Sequence, residues 1–556
     1  MNIHNKQFSR FWIWAIVFFL MVFCGAVTAP TSGSTNQPRY GGKFSVPLSS
    51  EPESLDPAYI TDIYAVTIAN NLFDGLVEFD KDLNVVPAIA ELWKISRDRK
   101  LYTFHLQKGV KFHNGREVTA EDFEFSITRI LNPETHSPVA SLFLNIKGAK
   151  AFHEGQCSQV EGLKVLDRYT IQIQLDEPFA PFLSILAMAN AKVIPKECAG
   201  PNFSQHPVGT GPFKFNSWKD GKEIILTANE NYFLGRPYLD TLYFQIYPNI
   251  VWEKIFDDFE RGFLDQSIIP SNKYNSITAD PQNQKNYKLV SKPTLNLVYV
   301  GINCNIKPLN DVRIRQALSL AVDTEKIVRQ ITRRGSVPAK GILPPGIAGF
   351  DPEFSGHGYN PVRARSLLAE AGYPEGRGIP PLEIWTVSKS KSVQQELLAY
   401  QKYLADIGIK IVPKVADNWK HFITLINNQK VPLYYAAWYA DYPDPDNFLY
   451  VLCHSKSRTN RMGYQNAEID HKLEMARQEV NYIERINIYR EVQRQVMKDA
   501  PLIAQHVNSF NYLFQPWVKG IEVNYLGAAY IPFRKVWIDY LEVAKKKEEH
   551  EKGSYL

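Results

Sequence analysis

Segments with strand period and segments with helix period alternate, without an internal repeat, along nearly all of this 556-residue chain. That alternation restricts it to a mixed α/β architecture. Residues 41–47, 102–106, 169–175, 409–415 and 433–438 alternate apolar with polar, or run apolar, as strands do. Residues 65–73, 180–189, 313–321, 361–371 and 393–407 have the apolar spacing of helices, and Gly372 and Gly408 stand where a C-terminal stop belongs. Thr119 is placed to cap a helix from Ala120, with Glu121 and Asp122 in its first turn, where acids meet the positive end of the helix dipole. So long a chain exceeds one ordinary core and predicts two or three lobes.

The first 29 residues read differently. Lys6 and Arg10 precede an almost unbroken apolar run, 11–23, and small residues follow to Ala29, the build of a secretory signal. Two alternatives share its consequence. One is an uncleaved anchor, since 11–29 approaches the ~20 residues of a spanning helix. The other is lipid attachment at Cys24, which the bulky Phe23 disfavours. Each places the rest of the chain outside the cytoplasmic membrane. Residues 30–40, rich in Ser, Thr, Pro and Gly, read as a flexible leader.

The net charge of +5 is mild, acids and bases interleave, and no case for nucleic acid arises. The late charge run 545–549 reads as a solvated helical tail. Beyond the leader, Cys157, Cys198, Cys304 and Cys453 remain, none in a C-x-x-C pair, which argues against metal or thioredoxin-type chemistry. An even number in an exported chain permits disulfides. We expect Cys157–Cys198 and Cys304–Cys453, four free thiols being the alternative.

Catalytic templates are missing: no phosphate loop, no H-E-x-x-H and no G-x-S-x-G. Gly209-Thr210-Gly211 lacks the third glycine of a dinucleotide turn and runs into Pro212, so it reads as a β-turn. His105 and His113 flank a predicted hairpin without a third metal ligand. Residues 441–447, D-Y-P-D-P-D-N, look superficially like a calcium loop. Counted from Asp441, however, position six is Asp446 where glycine is needed, and position twelve is Leu452 where an acid is needed. An acid directly after an apolar strand and flanked by aromatics suits pairing with a cation in a partly dry cleft. From spacing alone, an aspartate capping its own loop is the simpler reading.

Residues 87–126, P-A-I-A-E-L-W-K-I-S-R-D-R-K-L-Y-T-F-H-L-Q-K-G-V-K-F-H-N-G-R-E-V-T-A-E-D-F-E-F-S, hold none of these chemistries. They closely resemble the signature of the extracellular solute-binding proteins, family 5, that feed oligopeptide and dipeptide ABC importers. N-L-F-D-G-L at 71–76, H-P-V-G-T-G-P-F at 206–213, N-E-N-Y-F at 229–233, V-R-I-R-Q-A-L at 312–318 and Y-N-P at 359–361 extend the resemblance, in order, over about 41–539.

The resemblance implies an α/β, two-lobe periplasmic-binding-protein type II fold with an extra inserted domain and a ligand cleft between lobes that close by hinge motion. On this sequence lobe I takes 41–74, 206–296 and 502–545, the insert 75–205, lobe II 297–501, and the charged tail 546–556. Hinges are expected near 298–301 and 500–505. In the family an Asp three residues after a Trp at a strand end holds the amine of the bound peptide. Trp438-Tyr439-Ala440-Asp441 matches, which makes Asp441 the expected anchor. Trp419 stands where a pocket-lining Trp is expected, and Ala437, Trp438 and Tyr439 would pair with the peptide as with an added strand. Some members carry Arg three residues before the Trp; here that position is Tyr435, so the pattern leaves the carboxylate partner open. Lys389 and Lys391 lie loosely where dipeptide binders place a basic residue, a solvated loop being the plain alternative.

The implied protein is no enzyme. It is a monomeric, extracytoplasmic binding component that captures short peptides and delivers them to an ABC permease with its ATPases, using no cofactor, metal or nucleic acid. Relatives that take nickel, haem or oligosaccharide make a non-peptide ligand the alternative.

Overall fold

The computed structural model of the chain describes residues 37–248, 252–270, 273–280, 286–332, 335–479, 481–527 and 530–544. The expected export signal, Cys24, most of the leader and the tail 546–556 lie outside the described residues. The chain divides into units 1–39 and 40–556. Only residues 37–39 of the first are described, and the elements of the fold all belong to the second. Among the described residues no helix is long and apolar enough to cross a membrane.

Four sheets carry the mixed α/β fold. One has the order Lys43–Leu48, Thr241–Ile246, Glu223–Ala228, Phe213–Lys219, its first pair parallel and the others antiparallel. A second, wholly antiparallel, has the order Ala90–Ile95, Leu101–Leu106, Thr170–Gln174, Leu163–Asp167. A third has three strands, Gln266–Ile268, Ser509–Phe514 and Lys288–Pro293. The largest has six: Val337–Pro338, Leu502–Val507, Asn296–Ile302, Leu433–Tyr439, Leu382–Thr386 and Ile411–Val415.

The helix expected from Ala120 forms as Ala120–Leu131. Asp122 in its first turn accepts the Thr119 N–H (2.8 Å) and pairs with Arg116 (2.6 Å), tying the preceding turn to the helix start. The helix expected at 180–189 shortens to Phe182–Leu186, because the chain turns to set Lys192 opposite Gly75 in a β-bridge.

The expected disulfides are not formed: all four cysteines are free thiols. Each has its own local setting instead. Cys157 is exposed and donates to the Gln159 carbonyl. Cys198 ends a separate turn and accepts from Asn114 Nδ2. Cys304 and Cys453 belong to one apolar core, where burial pushes the Cys304 thiol up to about 11 and that of Cys453 higher still, so both stay protonated.

Three of the shared segments meet in a buried knot. Gly211 N–H donates to Leu72 O (2.9 Å), and a Cβ on Gly209 would fall 1.9 Å from that same oxygen, so glycine is needed for this approach. Between the two glycines, Thr210 Oγ1 accepts the Asp74 N–H (2.8 Å) and donates to Asp74 Oδ2 (3.0 Å). Tyr232 Oη donates to Asp74 Oδ1 (3.0 Å). Residues far downstream complete the same region: Phe533 N–H donates to Asn71 Oδ1 (2.8 Å), and Arg534 pairs with Glu78 (2.7 Å).

Two chain segments pass from the three-stranded to the six-stranded sheet side by side. Lys288–Pro293 pairs with Ser509–Phe514 in one sheet, and their continuations Asn296–Ile302 and Leu502–Val507 pair in the other. The crossovers fall at 294–295 and 508, a few residues to one side of the expected hinge segments; 298–301 lies inside a strand, and 500–505 runs from a helix cap at Ala500 into the strand Leu502–Val507. Buried Asn296 knits the crossover: its Oδ1 accepts from Thr294 Oγ1 (2.9 Å) and from Asn508 N–H (2.9 Å).

The knot and the crossover each predict a change in stability. Burial, offset by nearby Lys192, pushes the Asp74 carboxyl up from 3.8 to about 6. A folded-state value above the unfolded one favours folding below about pH 4, and that advantage is lost as pH rises through 6. Between pH 4 and 7, urea titrations should show the wild type losing up to about 3 kcal/mol relative to Asp74→Asn; a constant difference would contradict this. Asn296→Ala strands the Asn508 N–H, the Thr294 hydroxyl keeping the Asn508 carbonyl at 3.3 Å, and should cost about 1–3 kcal/mol of unfolding free energy by the same measurement.

Candidate functional site

The strand Leu433–Tyr439 has one full edge and one half-empty edge. It pairs with Asn296–Ile302 along its whole length, but with Leu382–Thr386 only at Leu433 and Tyr434. Ala440 N–H donates to Leu295 O and Asn303 N–H to Pro432 O, so even-numbered residues bond to the filled side. Antiparallel alternation then turns the N–H and C=O groups of Ala437 and Tyr439 toward the half-empty side. Among the described residues no strand covers that edge beyond Tyr434. It is open to an extended ligand.

The acidic segment after this strand is held by ion pairs. Asp444 takes both terminal nitrogens of Arg485 (2.9 and 2.6 Å), both groups buried. Asp446 takes Arg477 (2.6 and 3.0 Å), whose guanidinium lies over the ring of Tyr450. Asp441 has no such partner. Its N–H donates to Asn447 Oδ1 (3.0 Å) and its Oδ2 accepts from Asn447 Nδ2 (3.3 Å), while Trp438 Nε1 donates to the same Asn447 oxygen (3.2 Å). Among the described residues no Lys, Arg or His pairs with it. Its carboxylate reaches solvent, yet the surrounding protein desolvates it enough to raise its pKa, against the Asn447 amide, which lowers it. The Tyr530 phenol is pushed up to about 12, chiefly by burial and in smaller part by the charge of Asp441.

The remaining expected residues stand at one end of the sheet. Leu382–Thr386 runs parallel to both Ile411–Val415 and Leu433–Tyr439. Lys389, Trp419 and Asp441 therefore each follow the carboxyl end of one of three parallel strands, the end where α/β sheets bind ligands. Trp419 opens the helix Trp419–Asn427, capped by Asn418, and is 60% exposed. Tyr439 is 57% exposed, and its hydroxyl accepts from Asn508 Nδ2 (3.1 Å) at the crossover. Trp438, Asp441 and Asn447 form one hydrogen-bonded group. Among the described residues no hydrogen bond, ion pair or ring contact joins Trp419 or Lys389 to it, and Lys389 is exposed.

Two features are not legible in the sequence. Asn447, which orients both Asp441 and Trp438, is the last residue of D-Y-P-D-P-D-N and offers only its position as a signal. Tyr435, at the position where some relatives carry Arg, is buried and donates to Glu396 Oε2 (2.6 Å). It supplies hydrogen bonding to the core rather than charge to the cleft.

Known proteins share this frame. The family model for bacterial extracellular solute-binding proteins, family 5 (Middle), matches residues 84–460. Heme-binding protein A of Haemophilus influenzae is 32% identical over 496 residues, which span 84% of this chain and 88% of that protein. A periplasmic murein tripeptide-binding protein, solved in its unliganded open form, superposes with a TM-score of 0.80 at 25% identity, covering 90% of this chain and 98% of its own. The ABC transporter-associated periplasmic binding protein of Helicobacter pylori, in complex with the peptide STSA, superposes with 0.70 at 26% identity over 90% and 98%. The chain belongs to the family 5 bacterial extracellular solute-binding proteins, the substrate-binding components of ABC importers.

Proposed function

We propose that the protein captures short peptides by their free amino end in the cleft between its lobes and delivers them, as a monomer, to an ABC permease and its ATPases. One observation carries this reading: of three carboxylates within six residues, Asp441 alone lacks a cation, and it stands at the end of an open strand edge. An α-ammonium group supplies that charge, and the peptide backbone pairs with Ala437 and Tyr439. Trp438 and Trp419 flank the ligand, and Lys389 approaches its carboxylate end. In this reading 41–74, 206–296 and 502–545 form lobe I, 75–205 the insert and 297–501 lobe II, and residues 1–29 direct export.

A second reading keeps the transport role and changes the ligand. It is favoured by the naming of the Haemophilus relative as a heme-binding protein and by Tyr435, which offers no cation to a peptide carboxylate. Native mass spectrometry of the undenatured protein separates the two: a co-purifying mass that fragments into amino acids supports peptide capture, and a porphyrin, sugar or metal replaces it.

Replacing Asp441 by Ala should weaken a bound peptide with a free amine by about 2–5 kcal/mol, because a desolvated cation is left unpaired. Calorimetry with the free and the N-acetylated peptide checks this; equal affinities for the two would remove Asp441 from the role. Ionised Asp441 is the binding form and its pKa is raised, so affinity should be full above that value and fall as pH drops through it, starting above the ordinary carboxylate range. Asp441→Asn should flatten that part of the profile.

A further inference from the structure

Lobe I holds a cavity of about 240 Å³ that the anchor does not use. Its walls include Val46, Leu48, Ile255, Phe510, Tyr512 and Phe533, and no charged side chain lines it. An apolar cavity of about 150 Å³ accommodates benzene, so this one has room for a ring with a substituent. Its polar residues are uncharged: Ser49, Tyr64, Thr67, Trp252, Gln266 and Tyr512, and Thr67 Oγ1 donates to Ile63 O. Ser49 Oγ and Tyr64 Oη satisfy each other at 2.8 Å. Gln266 does not fit that pattern: it is 7% exposed, lines the cavity, and its side-chain oxygen has no hydrogen-bond partner among the described residues. An unpaired buried acceptor costs about 1–3 kcal/mol, a cost that a donor entering the cavity removes.

The cavity is connected to the open edge. Asn508, which bonds Tyr439 at the open edge, directly precedes the strand Ser509–Phe514, in which Phe510 and Tyr512 share one face and their rings stack at 5.4 Å. Gly527 lies against these rings, since a Cβ there would stand 2.9 Å from Phe510 and 3.2 Å from the Tyr512 hydroxyl. The segment 508–512 thus leads from Tyr439 at the open edge to the cavity wall.

We infer that this cavity is a specificity pocket of the ligand site, taking an uncharged aromatic group that carries a hydrogen-bond donor, as a tyrosine side chain does. The choice of a tyrosine-bearing peptide rests on peptide capture as the proposed function; the pocket's own chemistry does not. Calorimetry on the full chain tests each separately.

In the first arm p-cresol should bind about tenfold more tightly than toluene, the difference of one hydrogen bond to Gln266. Gln266→Met should erase that difference while melting no lower than wild type, since it removes an unpaired acceptor. If that variant fails to fold, Ile268→Trp, which fills the cavity from its wall, should abolish binding of both compounds. Absence of p-cresol binding, or a preference unchanged in Gln266→Met, overturns the pocket. In the second arm Tyr-Ala-Ala, Ala-Tyr-Ala and Ala-Ala-Tyr are compared with trialanine. One of the three should bind about tenfold more tightly than trialanine, and Gln266→Met should reduce the gain. Equal binding of all four peptides overturns the pocket's part in the ligand site. Binding of p-cresol with no peptide bound leaves the pocket standing and overturns peptide capture.

Discussion

The pairs Asp444–Arg485 and Asp446–Arg477 fix the acidic segment after the strand Leu433–Tyr439, and the geometry of the candidate site depends on them. Buried ion pairs contribute little net stability against apolar replacements, but losing one partner leaves a buried charge at a cost of about 3–5 kcal/mol. Their value here is positional. The helices Ala467–Gln478 and Tyr482–Asp499 bring two guanidinium groups to a segment with three carboxylates. The uncompensated charge is left at Asp441, beside the open edge, with Asn447 holding its direction.

That edge is also mechanically close to the crossover. Asn508 donates through its backbone to Asn296 and through its side chain to Tyr439, so one residue touches both the strand that would receive a ligand and the junction of two sheets. A ligand that orders residues 437–439 would act within one hydrogen bond of the junction of the two sheets.

Much of this is legible in the sequence where the signal is local. Thr119 with Asp122 announces a helix start because capping is decided within four residues. Asp441 is singled out by its spacing from Trp438 together with the family pattern, and the structure adds the reason it is distinctive: the neighbouring acids are neutralised and it is not. Asn447 stays hidden because its role depends on how the loop folds back over six residues. Gly209-Thr210-Gly211 reads as a turn, and its docking onto Leu72 and Asp74 is invisible because the partners lie more than a hundred residues away. The disulfide expectation fails for the same reason, since an even count of cysteines carries no information about distance.

The knot around Asp74 has a consequence for how the chain acquires its structure. Residues 71–78 need Thr210, Tyr232 and then Phe533 and Arg534 before their buried polar groups are satisfied. Contacts of such sequence separation are slow to form because the intervening loops must close first. During synthesis the segments near residue 71 lack their last native partners until almost five hundred further residues have been made. Residues 71–78 are thus made early but locked late, whereas the sheet of residues 90–174 finds all its strand partners within its own stretch.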